Sequence, residues 1–129
     1  MIRYLLDTHT IIWLTGIDDW KLSQKSKEII LSGANDLSVS IISLWELSLK
    51  INKGKLELGI TLDELVEKIQ DSGISIIPVS VKHVLGLSEL KYIHNDPFDR
   101  LLISTAIVEN MTILTADENI KQYNVKWAW

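Results

Sequence analysis

The sequence contains no cysteine. Without thiols, the chain cannot form a disulfide scaffold, a thiolate zinc site, an iron–sulfur cluster or a cysteine nucleophile. A long apolar run is also missing at the amino terminus, because Asp7 and His9 interrupt it before it reaches the length of a signal or membrane segment. We therefore expect a cytoplasmic protein that has no membrane partner and is stabilised by packing.

Positive charge is scarce. Thirteen Lys and Arg against 17 Asp and Glu give a net charge of −4, the wrong sign for a protein that holds nucleic acid by overall charge. A nucleic-acid-binding function would need a local basic patch or a metal ion. The length of 129 residues, 47% of them hydrophobic, suits one compact domain, so we expect a single domain over 1–129.

The signatures of several enzyme classes are absent as well. The sequence has no G-x-x-x-x-G-K-[ST] loop, no G-x-G-x-x-G after its first strand, no H-E-x-x-H and no G-x-S-x-G. These absences exclude P-loop hydrolysis, Rossmann dinucleotide binding, zincin chemistry and a serine nucleophile elbow. A phosphatase with Asp7 as nucleophile stays open, although the second aspartate expected two residues later in a haloacid-dehalogenase-like enzyme is missing.

Short apolar segments alternate with helix-like segments along the chain. The predicted strands are 2–6, 37–41, 74–79 and 111–114, and a last strand in which Val125, Trp127 and Trp129 share one side. The predicted helices are 21–32, 43–52, a segment from the Thr61 cap to Gly73, a short helix near 81–88, a helix opened by 96–99 and one turn over 118–122. This alternation predicts an α/β sandwich around a mostly parallel sheet.

Four acidic residues fall where such a sheet would place a ligand. Asp7 follows the first strand and Asp117 follows the fourth, and open parallel sheets bind ligands beyond the carboxyl ends of their strands. Glu46 lies within a predicted helix, and Asp99 lies near the start of another. We therefore expect the four carboxylates to converge at one end of the sheet.

Two of these acids have local explanations that remain open. Asp7 is a good N-cap for a helix beginning near Thr8. Glu46 fits a solvated helix stripe in which it pairs with Lys50 four residues later. Alternatively, Glu46 faces the ligand crevice, and the lysines beside it meet phosphates. Those lysines are Lys50, Lys53 and Lys55.

The other two acids have local explanations too. Asp96 fits an N-cap, and Asp99 then occupies the third helical position, where an acid favours the helix dipole. After the fourth strand, Thr115 and Glu118 fit a capping box in which Asp117 is a first-turn acid. Each explanation accounts for one residue, whereas convergence accounts for all four.

Carboxylates that converge repel one another, and their pKa values rise unless a cation is present. Ligands that are all oxygen favour Mg²⁺ or Mn²⁺ over zinc. Such ions serve phosphoryl transfer by making hydroxide available near neutral pH, so no side-chain nucleophile is needed. The pattern therefore predicts a metal-dependent reaction at a phosphate.

Four motifs resemble those of a known family. The segments are Leu-Leu-Asp-Thr-His at 5–9, Ser-Leu-Trp-Glu-Leu at 43–47, His-Asn-Asp-Pro-Phe-Asp-Arg-Leu-Leu-Ile at 94–103 and Leu-Thr-Ala-Asp at 114–117. Together they resemble PIN-domain ribonucleases, in particular the VapC-type toxins of toxin–antitoxin pairs. The third motif is the most specific of the four. The motifs occur in the family's order over nearly the whole chain.

The resemblance implies a PIN-like three-layer α/β/α sandwich and a metal-dependent endoribonuclease toxin. By resemblance, the catalytic and metal-binding residues are Asp7, Glu46, Asp99 and Asp117, which would hold Mg²⁺ or Mn²⁺ and position the attacking water. Asp7 and Asp99 would be the most direct ligands, and Glu46 and Asp117 would act directly or through water, with Glu46 as a candidate general base. Thr8 and Thr115 would hydrogen-bond the acids.

The resemblance also implies partners. These are an RNA substrate, a VapB-like antitoxin that blocks the site, and a second copy in a homodimer. Trp13 and Trp20 are candidates to line the groove that receives an antitoxin helix. The alternative function is a non-catalytic PIN-like module that binds RNA or protein, in which the acids only cap helices.

Overall fold

The computed structural model describes residues 2–129, in which five strands alternate with seven α-helices and two short 3₁₀ segments. The strands are β1 (Arg3–Leu6), β2 (Asp36–Ser40), β3 (Ser75–Ile77), β4 (Thr112–Leu114) and β5 (Trp127–Ala128). The helices are α1 (Thr8–Leu14), α2 (Gln24–Leu31), α3 (Ile41–Asn52), α4 (Leu62–Asp71), α5 (Val81–Leu85), α6 (Pro97–Glu109) and α7 (Glu118–Lys121). None of the helices described over 2–129 is long and apolar enough to cross a membrane.

The five strands form one sheet in the order β3-β2-β1-β4-β5, and every neighbouring pair is parallel. In the middle of the sheet, Leu5 lies beside Ser38 of β2 and Ile113 of β4. Because all strands run the same way, the residues that follow β1, β2 and β4 meet at one edge. The predicted sheet is thus confirmed and is parallel throughout.

Helices cover both faces of the sheet. Successive residues of β1 point to opposite faces, so Leu6 packs into one apolar cluster with residues of α1 and α4, and Leu5 packs into the other with residues of α6. Both leucines are fully buried. Burial on both faces explains why β1 shows no polar alternation. The architecture is the three-layer α/β/α sandwich expected of a PIN-like fold.

Several strand ends in the structure differ from those predicted from the sequence. The third strand was predicted over 74–79 but ends at Ile77, because Pro78 has no backbone N–H to continue the ladder. The last strand was predicted to include Val125 and Trp129, but only Trp127–Ala128 pairs with β4.

Two helix starts also differ from the prediction. Helix α3 starts at Ile41 rather than at Ser43, because the Ser40 hydroxyl accepts a hydrogen bond from the Ile42 amide and caps the helix. Helix α2 starts at Gln24 rather than at residue 21, since Ser23 is its N-cap.

Candidate active site

Asp7 leaves the end of β1 and is almost fully buried, with 3% of its surface exposed. Its Oδ1 atom caps α1 by accepting hydrogen bonds from the Thr10 amide at 2.9 Å and the Thr10 hydroxyl at 2.7 Å. Its Oδ2 atom accepts from the Thr115 hydroxyl at 2.5 Å. Burial raises the pKa of Asp7 above its usual value, and these hydrogen bonds oppose that rise. The predicted capping role is therefore confirmed, and the cap together with the Thr115 hydrogen bond fixes both oxygens at the sheet edge.

Thr115 connects Asp7 to Asp117. Its hydroxyl oxygen accepts from the Asp117 amide at 3.0 Å while its hydrogen goes to Asp7. The predicted capping box of Thr115 with Glu118 is wrong. Asp117 itself is the N-cap of α7, and its Oδ1 atom accepts from the Asn119 amide at 2.7 Å. The cap therefore orients Asp117 at the same edge as Asp7.

Glu46 is buried, with 6% of its surface exposed, so the prediction of a solvated stripe is wrong for this residue. Its Oε1 atom accepts from the Thr8 hydroxyl at 2.7 Å, and its Oε2 atom pairs with Lys50 Nζ at 2.8 Å. The predicted ion pair is thus present, and it ties up one of the three lysines suggested for phosphate contacts. Because Thr8 follows Asp7 directly, this contact brings Glu46 to the end of β1.

Asp99 occupies the third position of α6, as predicted. The Asp96 carboxylate caps the helix by accepting from the Asp99 amide at 2.9 Å. The side chain of Asp99 contacts His94, with Nε2 and Oδ2 3.1 Å apart. The pKa of Asp99 is raised to about 6, chiefly by burial; the His94 hydrogen bond opposes this rise, and the charges of Asp96, Asp117 and Glu46 add to it.

These contacts place the four predicted acids around one edge of the sheet. Thr115 hydrogen-bonds both Asp7 and the Asp117 amide. The negative charges of Glu46 and Asp117 lie close enough to Asp99 to raise its pKa. Within residues 2–129, no three Asp, Glu or His side chains already stand in an arrangement that would hold a metal ion. By chemistry the donor set fits Mg²⁺ or Mn²⁺, because it is all oxygen and its crowded negative charge favours a cation.

A cleft opens beside Asp7 and Asp117. Its lining consists of Asp7, His9, Trp13, Lys21, Ala116 and Asp117. The Lys21 ammonium lies 5.9 Å from the ring centre of Trp13 and 5.4 Å from that of Trp20, which is 75% exposed. The cleft therefore combines carboxylates, one cation and an apolar wall.

Sequence reasoning missed three residues of this region. Thr10 could have been found from the capping rule, because a hydroxyl three residues after an N-cap aspartate lies within reach of it. Lys21 and Tyr123 carry no local signal, since they reach the site only through the tertiary fold. Tyr123 contacts His94, 29 residues away in sequence.

Comparisons with known proteins agree with this architecture. The family model described as PIN domain matches residues 4–126. The chain is 28% identical to Ribonuclease VapC22 of Mycobacterium tuberculosis over 127 residues, covering 95% of this chain and 93% of that protein.

Solved structures are also similar in fold. VapBC2 from Rickettsia felis bound to a promoter DNA fragment aligns with a TM-score of 0.73 and 24% identity, covering 98% of both chains. VapBC-1 from nontypeable Haemophilus influenzae aligns with a TM-score of 0.68 and 16% identity, covering 98% of this chain and 97% of that one. The four motifs, the parallel sheet and the family match agree, and the chain belongs to the PIN domain family.

Proposed function

We propose that this protein is a metal-dependent endoribonuclease and the toxin of a toxin–antitoxin pair. The observation that carries the proposal is the gathering of Asp7, Glu46, Asp99 and Asp117 at one edge of the sheet, with Asp99 held as a partly buried carboxyl among like charges. The name of the similar M. tuberculosis protein, Ribonuclease VapC22, supports the same activity. Residues 1–129 would act as one PIN-like domain in the cytoplasm.

In this proposal Asp7 and Asp99 would hold Mg²⁺ or Mn²⁺ most directly, and Glu46 and Asp117 would act directly or through water. When bound, such an ion would make hydroxide available near neutral pH and would offset negative charge at the phosphate. Thr10 and Thr115 fix Asp7, so this carboxylate needs little reordering. Glu46 accepts a proton from the attacking water.

We propose a VapB-like antitoxin as the protein partner. The names of similar structures identify them as VapBC proteins and include a complex from Klebsiella pneumoniae described as toxin–antitoxin. On this chain, Trp13 lines the cleft beside the acids, and Trp20 is largely exposed next to it. An amphipathic helix with apolar and basic side chains would cover both the tryptophans and the carboxylates.

A homodimer is the proposed assembly. On α5, Val81, Val84 and Leu85 lie on one helix face by their spacing, and they are 74%, 51% and 66% exposed. The end of α5 packs against α6, where a Cβ on Gly86 would lie 3.4 Å from Val108. Val108 is itself 38% exposed, so the apolar surface continues onto α6. A surface of this kind is typical of an interface.

The activity is tested by cleavage of total cellular RNA. Wild-type protein is titrated with Mg²⁺ or Mn²⁺, with and without EDTA, beside Asp99→Asn and a matched control, Asp71→Asn, which changes an exposed acid on α4. We expect discrete fragments from wild type and the control, and none with EDTA or with Asp99→Asn. Cleavage that survives both EDTA and Asp99→Asn would contradict the proposal, and RNA binding without cleavage would support the non-catalytic alternative.

A further inference from the structure

The Tyr123 hydroxyl lies behind the proposed metal-binding residues. Its oxygen is 2.8 Å from His94 Nδ1, and the opposite ring nitrogen of His94 is 3.1 Å from Asp99 Oδ2. The same hydroxyl oxygen accepts hydrogen bonds from Arg100 Nη1 at 3.1 Å and from the His94 amide at 3.2 Å. Tyr123 is 5% exposed, so water has little access to this chain of contacts.

Counting donors and acceptors fixes the direction of these hydrogen bonds. Two N–H groups already donate to the tyrosine oxygen, so its own hydrogen is left to donate to an acceptor. The nearer acceptor is His94 Nδ1 at 2.8 Å, whereas the carbonyl oxygen of His94 is 3.3 Å away. With Nδ1 accepting, the imidazole proton sits on Nε2 and donates to Asp99 Oδ2.

From this geometry we propose that Tyr123 is a positioning residue, which holds His94 in the Nε2–H tautomer so that His94 fixes Asp99 by one oxygen. Asp99 Oδ1 accepts no hydrogen bond from residues 2–129 and stays available to a cation. The role for Asp99 rests on the proposed function, but the tautomer does not. Outer partners that orient a ligand in this way commonly change metal affinity when they are removed.

Arg100 completes the arrangement. It is 8% exposed, yet no carboxylate of residues 2–129 forms an ion pair with it. Its guanidinium donates instead to the Lys91 carbonyl and to Tyr123, and it lies 4.3 Å from the ring centre of Tyr92. Because Arg100 donates to the tyrosine oxygen and has no acceptor to offer, the tyrosine hydrogen is left to donate to His94.

The protein contains its own control for the tautomer. His83 Nδ1 accepts from the Ser80 amide at 3.0 Å, and its Nε2 lies 2.8 Å from Glu109 Oε1. His83 therefore holds the same Nε2–H tautomer by a backbone donor. Because its contacts involve neither Tyr123 nor Asp99, it should not respond to substitutions there.

The first test is ¹⁵N NMR of the histidine rings in metal-free protein, comparing wild type with Tyr123→Phe and with Tyr4→Phe, which alters another buried tyrosine. Loss of one set of signals in His94→Gln assigns His94. We expect a single Nε2–H tautomer at His94 in wild type and Tyr4→Phe, and a mixture in Tyr123→Phe, with His83 unchanged in all three. An unchanged His94 tautomer in Tyr123→Phe would overturn the proposal.

The second test measures Mn²⁺ binding to the same proteins. Tyr123→Phe should weaken Mn²⁺ binding by roughly 10-fold or more, while Tyr4→Phe binds like wild type. If Tyr123→Phe does not fold, His94→Gln and His94→Ala decide, because the glutamine amide still donates to Asp99 and should retain more affinity than alanine. Equal affinity of the glutamine and alanine variants would overturn the proposal. If Tyr123→Phe changes the His94 tautomer but the wild-type protein does not cleave RNA, only the proposed activity is contradicted.

Discussion

At the scale of single residues, the site is built from carboxyl groups that the fold takes out of water. Burial raises the pKa values of Asp7 and Asp99, so the folded chain without a cation holds their charges at an energetic cost. Hydroxyl and imidazole donors offset part of this cost, and a bound cation would offset more. Function and stability are therefore opposed at these positions.

Removing the charge of Asp99 should stabilise the metal-free protein. Because the folded pKa is about 6 against 3.8 for the free side chain, folding is more favourable below pH 3.8 and loses that advantage as pH rises through 6. At about pH 7.5, Asp99→Asn should raise the free energy of unfolding by about 1–3 kcal/mol. Urea unfolding at that pH and again near pH 4 measures it, and the difference should vanish in acid. A destabilised variant at pH 7.5 contradicts the assignment.

Thr115 offers a matched pair of substitutions. Thr115→Val keeps the shape of the buried side chain but removes the hydroxyl shared by Asp7 and the Asp117 amide, so it should lower the free energy of unfolding by about 1–3 kcal/mol. Thr115→Ser keeps the hydroxyl and should retain RNA cleavage that Thr115→Val loses. Equal cleavage by the two variants would show that the hydroxyl does not position the acids.

At the scale of elements, the sequence predicted what local rules determine. The caps by Asp7 and Asp96 and the order of strands and helices follow from neighbouring residues, and the structure confirms them. The burial of Glu46 could not be predicted, because it depends on Thr8, 38 residues away in sequence. Tyr123 was missed for the same reason.

Strand ends and competing helix caps were also features that the sequence alone could not predict. Thr115 could serve Glu118 or Asp7 by sequence alone, and only the pairing of β1 with β4 decides for Asp7. Likewise, a serine that ends a strand can cap the next helix, as Ser40 does for α3. Tertiary contacts decide between such alternatives, whereas the sequence pattern is compatible with either one.

The N-terminus of α6 allows a prediction at this scale. Asp96→Ala removes the cap and should lower the free energy of unfolding by about 1 kcal/mol, whereas Asp96→Asn keeps an accepting oxygen and should change it by only a few tenths, on the order of 0.3 kcal/mol. Because the cap also sets the position of Asp99, Asp96→Ala should reduce RNA cleavage more than Asp96→Asn does. Chemical unfolding and a cleavage assay measure the two effects, and the reverse order would contradict the capping role.

At the scale of the whole molecule, both faces of the sheet are covered, yet α5 keeps an apolar face exposed. The proposed homodimer covers that face. Val81→Glu and Leu85→Glu should therefore halve the mass measured by sedimentation equilibrium. Lys82→Glu, which changes an exposed charge on the same helix, should leave the mass unchanged. A wild-type monomer, or dimers that survive both apolar substitutions, would exclude this surface.

The proposed function requires that the acids at the sheet edge bind a cation on which RNA cleavage depends. The most direct measurement titrates metal-free protein with Mn²⁺, follows free Mn²⁺ by electron paramagnetic resonance, and measures RNA cleavage in the same samples. We expect cleavage by wild type to rise in proportion to bound Mn²⁺, and we expect Asp99→Asn to lose binding and cleavage together. The proposed function would be contradicted if Asp99→Asn bound Mn²⁺ as tightly as wild type does, or if RNA were cleaved before any Mn²⁺ is bound.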